Sequence, residues 1–408
     1  MNRPTTPPEA DTTARALFAP GNAGFWRLWT VGVTVFLVRW METVAVGVFV
    51  HQRTGSALLV AAISMLRMLP MGLFGAFMGA LAERIERRWS LMGTVAMLGA
   101  ASTGLTLLAL TDRLEVWHLA IASFLNGLAW AADNPVRRSM IGDAVGARRM
   151  GAAMSLDVGA SNASRMMGPA IAGFLLAYAG IAGVFAVSTV LYAIALYAAW
   201  SSSAHAIDNP AKGAILAQIA EGLRMVRANA RLTGILLVTA IVNLFAWPFT
   251  SMIPVIARDR LALAPEGIGL LASMDGVGAF LGALLVALFS RPAWYGRTYC
   301  WGAVLYMIMV MAFAMAPNPW LAGAALILTG MGQGGFATMQ ATLVYLASPP
   351  EMRSRILGVL SVCIGMGPIG FIAIGTLADA IGAHWATAAS GAAGLISMIL
   401  SWRRWRTV

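Results

Sequence analysis

Lysine is almost absent from this chain, and so are the residues on which most enzyme motifs are built. The one lysine, Lys212, stands in Asn209-Pro210-Ala211-Lys212-Gly213 and not in a Gly-x-x-x-x-Gly-Lys-Ser/Thr phosphate loop. Hydrolysis of ATP at a P-loop is therefore excluded as a driving force. The two cysteines, Cys300 and Cys363, lie far apart in apolar segments, which gives neither a disulfide framework nor a thiolate metal set. The four histidines, His51, His118, His205 and His384, fall near the ends of apolar runs without metal-ligand spacing and read as interfacial residues. There is no Gly-x-Ser-x-Gly elbow and no His-Glu-x-x-His pair. The expectation is a protein without enzymatic chemistry, cofactor or metal.

Charge is scarce as well. Only 11% of the 408 residues are charged and 59% are hydrophobic, against about 25% and about 45–50% in a soluble domain. One globular core cannot hide that surplus, so the chain reads as an integral membrane protein. Runs of about 20 apolar residues can cross a hydrocarbon layer of about 30 Å as helices. Twelve are present: 25–50, 57–80, 90–110, 117–137, 151–178, 182–200, 233–257, 267–290, 298–316, 320–347, 355–379 and 384–402. The first is too long for a signal peptide. The fold class expected is all-α, with twelve transmembrane helices in two six-helix halves. The divisions are a tail at 1–24, a first half at 25–200, a polar loop at 201–232, a second half at 233–402 and a tail at 403–408.

The net charge of +11 has a topological origin. With the N-terminus in the cytoplasm, 21 of the 28 basic residues fall in inside segments and 4 in outside loops (Arg53, Arg113, Arg258 and Arg260). That asymmetry is the positive-inside pattern, and it makes both termini cytoplasmic. Nucleic acid is not needed to explain the charge. Tryptophans near the run ends, such as Trp26, Trp89, Trp200, Trp320 and Trp402, suit the membrane interface. The halves also carry traces of duplication. Residues 75–82 (GAFMGALA) match 278–285 (GAFLGALL) at six of eight positions, and Gly168-Pro169 has a counterpart in Gly367-Pro368. Both pairs are candidate helix kinks, and paired six-helix halves around a midplane site are a transporter architecture.

The segment Gly79-Ala80-Leu81-Ala82-Glu83-Arg84-Ile85-Glu86-Arg87-Arg88 resembles the signature loop of the major facilitator superfamily, Gly-x-Leu-Ala-Asp-Arg-x-Gly-Arg-Arg. Glu83 and Glu86 depart from the usual Asp and Gly. The resemblance implies a cytoplasmic latch in which Glu83, with Gly79, Arg84, Arg87 and Arg88, meets Arg137 or Arg138 and the start of the eleventh helix. The segment 162–173, with Gly168-Pro169, looks like the Gly-Pro motif of that superfamily's drug/proton antiporters. Phe25-Trp26-Arg27-Leu28-Trp29, Arg53-Thr54-Gly55-Ser56, Arg67-Met68-Leu69-Pro70, Asn134-Pro135-Val136-Arg137-Arg138 and 353–358 read like the enterobactin-exporter-like and macrolide-efflux-like branch. The resemblance spans residues 25–402.

A charge inside a spanning helix costs at least about 2.5–3.5 kcal/mol and marks a functional position by default. Arg39, Arg67 and Arg165 are such positions, balanced by Glu42, Asp157 and Asp275. The i, i+3 spacing of Arg39 and Glu42 predicts an ion pair. The carboxylates are the proton-coupling candidates, with Glu42 placed ahead of Asp157 and Asp275 behind both; Asp133 reads as structural. Trp40, Trp130 and Trp247 lie away from the interfaces, in helices 1, 4 and 7, which with helix 10 line the central cavity in the superfamily this chain resembles. Asn243 in helix 7 and Gln333, Phe336 and Gln340 in helix 10 complete the candidate cavity. Such walls suit a large amphipathic organic molecule. The expectation is a monomeric secondary transporter in a bacterial cytoplasmic membrane, with lipid, protons and a small amphipathic substrate as its partners. It would be a proton-coupled exporter of a drug- or siderophore-like compound working by alternating access. An importer of the same fold and a non-transporting membrane sensor are the alternatives.

Overall fold

The computed structural model describes residues 22–82, 86–146, 148–202, 223–349, 352–406 and 408. Among them the ordered elements are helices and no strand occurs. The first bundle contains α1 (Ala23–Thr54), α2 (Ala57–Ala82), α3 (Arg87–Leu110), α4 (Val116–Val145) and α5 (Met150–Trp200). The second contains α6 (Ala230–Ile241), α7 (Ile253–Asp259), α8 (Pro265–Phe289), α9 (Tyr295–Met315), α10 (Pro319–Ala347), α11 (Arg353–Ile364), α12 (Gly367–Ile381) and α13 (Ala383–Leu400), with a last turn α14 (Trp402–Trp405).

The sixth expected run is the second limb of α5. At Gly180 the backbone leaves the helical region (φ 63°, ψ −170°), a conformation open to glycine and costly for residues with a Cβ. The chain doubles back there. Arg149, before the start of α5, donates to Asn22 Oδ1 at 2.9 Å, and the carbonyl of Ser201, just past its end, accepts from Arg27 at 2.5 Å. Both ends of α5 therefore return to the beginning of α1.

Two other expected runs are broken where proline removes a donor. The run 233–257 is α6, a π-turn at Val242–Ala246, a 3-10 turn at Trp247–Ser251 and then α7. Pro248 offers no N–H to the preceding turn, and the ladder loosens and tightens again around it. The run 355–379 divides into α11 and α12, with Gly367-Pro368 opening α12, where a proline costs nothing. By contrast, Gly168-Pro169 stays inside the first limb of α5, which runs unbroken to the turn at Gly180.

Nine helical segments among the described residues are long and apolar enough to cross a membrane. The doubled α5, together with α4 and α10 of 30 and 29 residues, is consistent with twelve crossings. The outer surface fits a lipid solvent, because large apolar side chains such as Tyr178, Trp320, Leu110 and Leu400 are exposed on it.

The bundles meet along α5 with α8 and along α2 with α12. Small residues let the first pair approach closely, as membrane helices without a hydrophobic drive require. A Cβ added at Gly173 of α5 would lie 2.9 Å from Gly269 Cα of α8. Gly173→Val is therefore expected to lower stability by about 1–3 kcal/mol, the usual cost of overpacking. A drop in apparent Tm of the detergent-solubilised protein would show it; an unchanged Tm would mean that this contact does not hold the bundles together.

Candidate functional site

Between the bundles lies a cavity of about 220 Å³. Helical spacing explains its walls. Phe36, Arg39, Trp40, Thr43, Val44, Gly47 and Val50 form one stripe of α1, and Val60, Ile63, Ser64, Arg67 and Met68 form a stripe of α2. Trp130 enters from α4, and Ser161, Arg165 and Pro169 enter at four-residue spacing from α5. The second bundle supplies Trp247, Thr250 and Ser251 from the irregular turn, Pro254 from α7, Ala272 and Asp275 from α8 and Phe371 from α12.

The centre of the cavity is a charge bridge across the bundles. The Arg165 Nε donates to Asp275 Oδ2 at 3.1 Å, and a second guanidinium nitrogen of Arg165 donates to the same oxygen. A third donates to the Gln333 side-chain carbonyl in α10. The guanidinium also lies over the rings of Trp40, 5.1 Å away, and Trp247, 5.5 Å away. Each cation–π contact contributes about 0.5–2 kcal/mol. Arg165, Asp275 and Gln333 are all buried, so both charges depend on each other for solvation. The three residues are 110 and 168 positions apart, which is why sequence spacing could not pair them.

Arg39 and Arg67 form the second polar feature. The Arg39 guanidinium lies 3.4 Å over the Trp130 ring. One Arg67 nitrogen donates to the Arg39 carbonyl at 3.0 Å and to Thr43 Oγ1, which fastens α2 to α1. The expected Arg39–Glu42 ion pair does not form. Glu42 lies off the cavity stripe of α1 and accepts instead from Ser102 of α3 at 2.8 Å.

Asp157 also stands away from the cavity wall. It accepts from Arg137 and, at 3.2 Å, from Arg138 Nε. Arg137 is completely buried; its Nε lies 3.5 Å from Asp133, and its guanidinium sits 4.9 Å from the Phe36 ring. Gly32 makes room for it, since a Cβ there would meet Arg137 Cζ at 2.8 Å. This cluster belongs to the first bundle alone and forms a charged layer beneath the cavity, toward the arginine-rich ends. Asp133 pairs with Arg137 at i, i+4 spacing within α4.

Of the latch candidates, Glu83 and Arg84 lie outside the described residues, and Gly79 falls in the last turns of α2. Arg87 pairs with Asp143 of α4 at 2.5 Å, and Arg88 donates to the Trp200 carbonyl at 2.5 Å, both contacts within the first bundle. The remaining candidates pack around the cavity without lining it. Asn243 donates to the Thr239 carbonyl, Gln340 donates to Thr239 Oγ1 at 3.2 Å, and Phe336 stacks on Tyr299 at 5.0 Å.

A contact missed by sequence reasoning closes the opposite end. His51, read there as interfacial, is buried, and its Nε2 lies 2.8 Å from Asp259 at the end of α7. Beside it, Ser56 Oγ and the Leu58 N–H both donate to Asp379 of α12, at 2.8 and 3.1 Å. These bonds tie α1 and α2 to the second bundle above the cavity.

Comparison with known proteins bears on this geometry. Residues 15–406 match a family described as transmembrane secretion effectors. Macrolide efflux protein A of Streptococcus pyogenes is 22% identical over 374 residues, covering 88% of this chain and 91% of that protein. Multidrug efflux pump Tap of Mycolicibacterium fortuitum is 25% identical over 364 residues, covering 86% and 87%. Among solved structures, a bacterial homologue of the human lysosomal transporter Spinster, in an inward-facing and unoccupied conformation, superposes with a TM-score of 0.71. It is 16% identical and covers 95% of this chain and 96% of that one, which shows the shared fold.

Proposed function

We propose a function from the premise that this chain belongs to the transmembrane secretion effector family. It is a major facilitator transporter of the efflux kind, embedded in a bacterial membrane, and its specific task is proton-driven export of an amphipathic organic molecule. In this reading residues 25–200 and 233–402 are the two moving halves, joined by the loop at 201–232. Both termini lie in the cytoplasm, so the arginine-rich ends face inward and the His51–Asp259 contact faces outward.

The observation that carries this reading is the Arg165–Asp275–Gln333 bridge inside a tryptophan-walled cavity. It is the one place among the described residues where a carboxylate that lines the cavity is held by an arginine of the other half. A group whose charge decides whether the halves are joined is suited to couple a proton to their movement. Glu42 and Asp157 are enclosed within the first half, so Asp275 takes their place as the foremost coupling residue. The outward seal at His51–Asp259 and Asp379 fits an inward-facing member of an alternating-access cycle.

The test is transport in a host without its own efflux pumps, using a panel of amphipathic compounds that includes macrolides. Cells making the protein should hold several-fold less of at least one compound, and dissipating the proton gradient should abolish the difference. In liposomes, Asp275→Asn should retain binding of that compound while flux no longer responds to an imposed pH gradient. Accumulation instead of depletion would make the protein an importer. Gradient-coupled flux preserved in Asp275→Asn would remove Asp275 from the mechanism.

A further inference from the structure

The charges that face the cavity do not balance. Sequence arithmetic sets three intramembrane arginines against three carboxylates, but the geometry places all three arginines and only one of those carboxylates on the wall. That carboxylate, Asp275, is already engaged by Arg165. Glu42 is turned to Ser102, and Asp157 is turned to Arg137 and Arg138. Asp133, which faces the floor from α4, lies against Arg137.

Arg39 and Arg67 thus stand on the wall without a direct ion-pair contact: Asp133 acts on Arg39 and Glu42 on Arg67 only from beyond contact distance, and both carboxylates have their own hydrogen-bond partners. Among the described residues, no carboxylate lies within ion-pair distance of either. Arg67 is more than nine-tenths buried, and its bonds go to an uncharged carbonyl and an uncharged hydroxyl. Arg39 has one face covered by Trp130, which leaves the edge of the guanidinium, where its N–H groups are, as the part able to bind. Two guanidinium groups in a low-dielectric interior call for an anion, because buried charges are ordinarily paired. Guanidinium donors also match the paired oxygens of a carboxylate.

We propose that the molecule carried by this cavity is an organic anion. Its acidic group sits between Arg39 and Arg67, and its aromatic or alicyclic body lies among Trp40, Trp130 and Trp247. This rests on the reading of the cavity as the transport site and names the ligand's charge. The arrangement leaves the Arg165–Asp275 bridge free to act on the coupling ion, because the acidic group need not compete with Asp275 for Arg165. It also sets this chain's substrate apart from any basic amphiphile, which would meet a surplus of like charge.

The test uses 2-naphthoate and 2-naphthylmethylammonium, which share one ring system and differ in the sign of their charge. Binding to the full-length protein in lipid nanodiscs is measured by titration calorimetry. Naphthoate should bind at least about tenfold more tightly, the worth of one charge-assisted hydrogen bond. Arg39→Gln and Arg67→Gln should each lower naphthoate affinity by about tenfold or more, and Arg39→Lys should recover part of that loss. The wild-type comparison needs no variant, so it stands even where a variant does not assemble. Equal affinity, preference for the ammonium compound, or no saturable naphthoate binding would overturn the proposal. Export of cationic compounds alone in the cell assay would do the same while leaving the export reading intact, so the two can fail separately.

Discussion

Asp275→Leu is expected to destabilise the protein by about 3–5 kcal/mol, because it leaves the Arg165 guanidinium buried without its counter-charge. The loss is a property of the broken pair and not of the missing carboxylate. Adding Arg165→Met to the same chain should return most of the stability, since a buried ion pair replaced by apolar groups of similar volume is often neutral. The double variant should reach the membrane, survive purification and fail to transport. Thermal unfolding of the single and double variants, followed by the flux assay, checks both halves of the expectation. A double variant no more stable than Asp275→Leu would mean that the two residues are not energetically coupled.

An effect of similar size is expected at Arg137. This side chain is completely enclosed and serves two carboxylates, Asp133 and Asp157. Arg137→Met keeps the volume and removes the charge, so Asp133 loses its one ion-pair partner in the described structure. Asp157 keeps Arg138, whose side chain is 42% exposed and holds it less firmly. The variant should therefore accumulate poorly or unfold at a markedly lower temperature, and Asp133→Asn added to it should recover part of the loss. Normal assembly of Arg137→Met would mean that the buried cluster contributes little. It would also return Arg137 to the cytoplasmic latch that the loop resemblance suggested for it.

The parts of this molecule that the sequence revealed are those set by local pattern. Twelve apolar runs, the split between 178 and 182 and a kink at Gly367-Pro368 follow from hydropathy and from residues that restrict the backbone, although the full break into two helices there does not. The convergence of Trp40, Trp130 and Trp247 on one cavity was anticipated from their helix numbers, through the resemblance and not through any spacing. Pairing was harder to read. Arg39 and Glu42 are three residues apart, yet the ring of Trp130 holds one and Ser102 of α3 holds the other, so tertiary partners overrode the i, i+3 preference. Arg165 and Asp275 belong to different halves, and His51 and Asp259 are 208 positions apart. No one-dimensional signal distinguishes such a pair from an isolated charge. Depth along a helix was visible in the sequence and direction around it was not, so neither the turn of Glu42 toward Ser102 nor that of Asp275 toward Arg165 could be read there.

If the two halves move about the proposed Arg165–Asp275 hinge, two spin-label distances will register it. Spin labels are placed at positions 53 and 258, both exposed at the ends tied by His51 and Asp259. A second pair at 148 and 346 reports on the arginine-rich ends, and Cys300 and Cys363 are first replaced by alanine. One short distance is expected at 53–258 in the wild-type protein. In Asp275→Asn a second, longer population should appear there while the 148–346 distance shortens. Unchanged distributions at both pairs, in a variant that is folded and still transports, would mean that the halves do not move about this bridge.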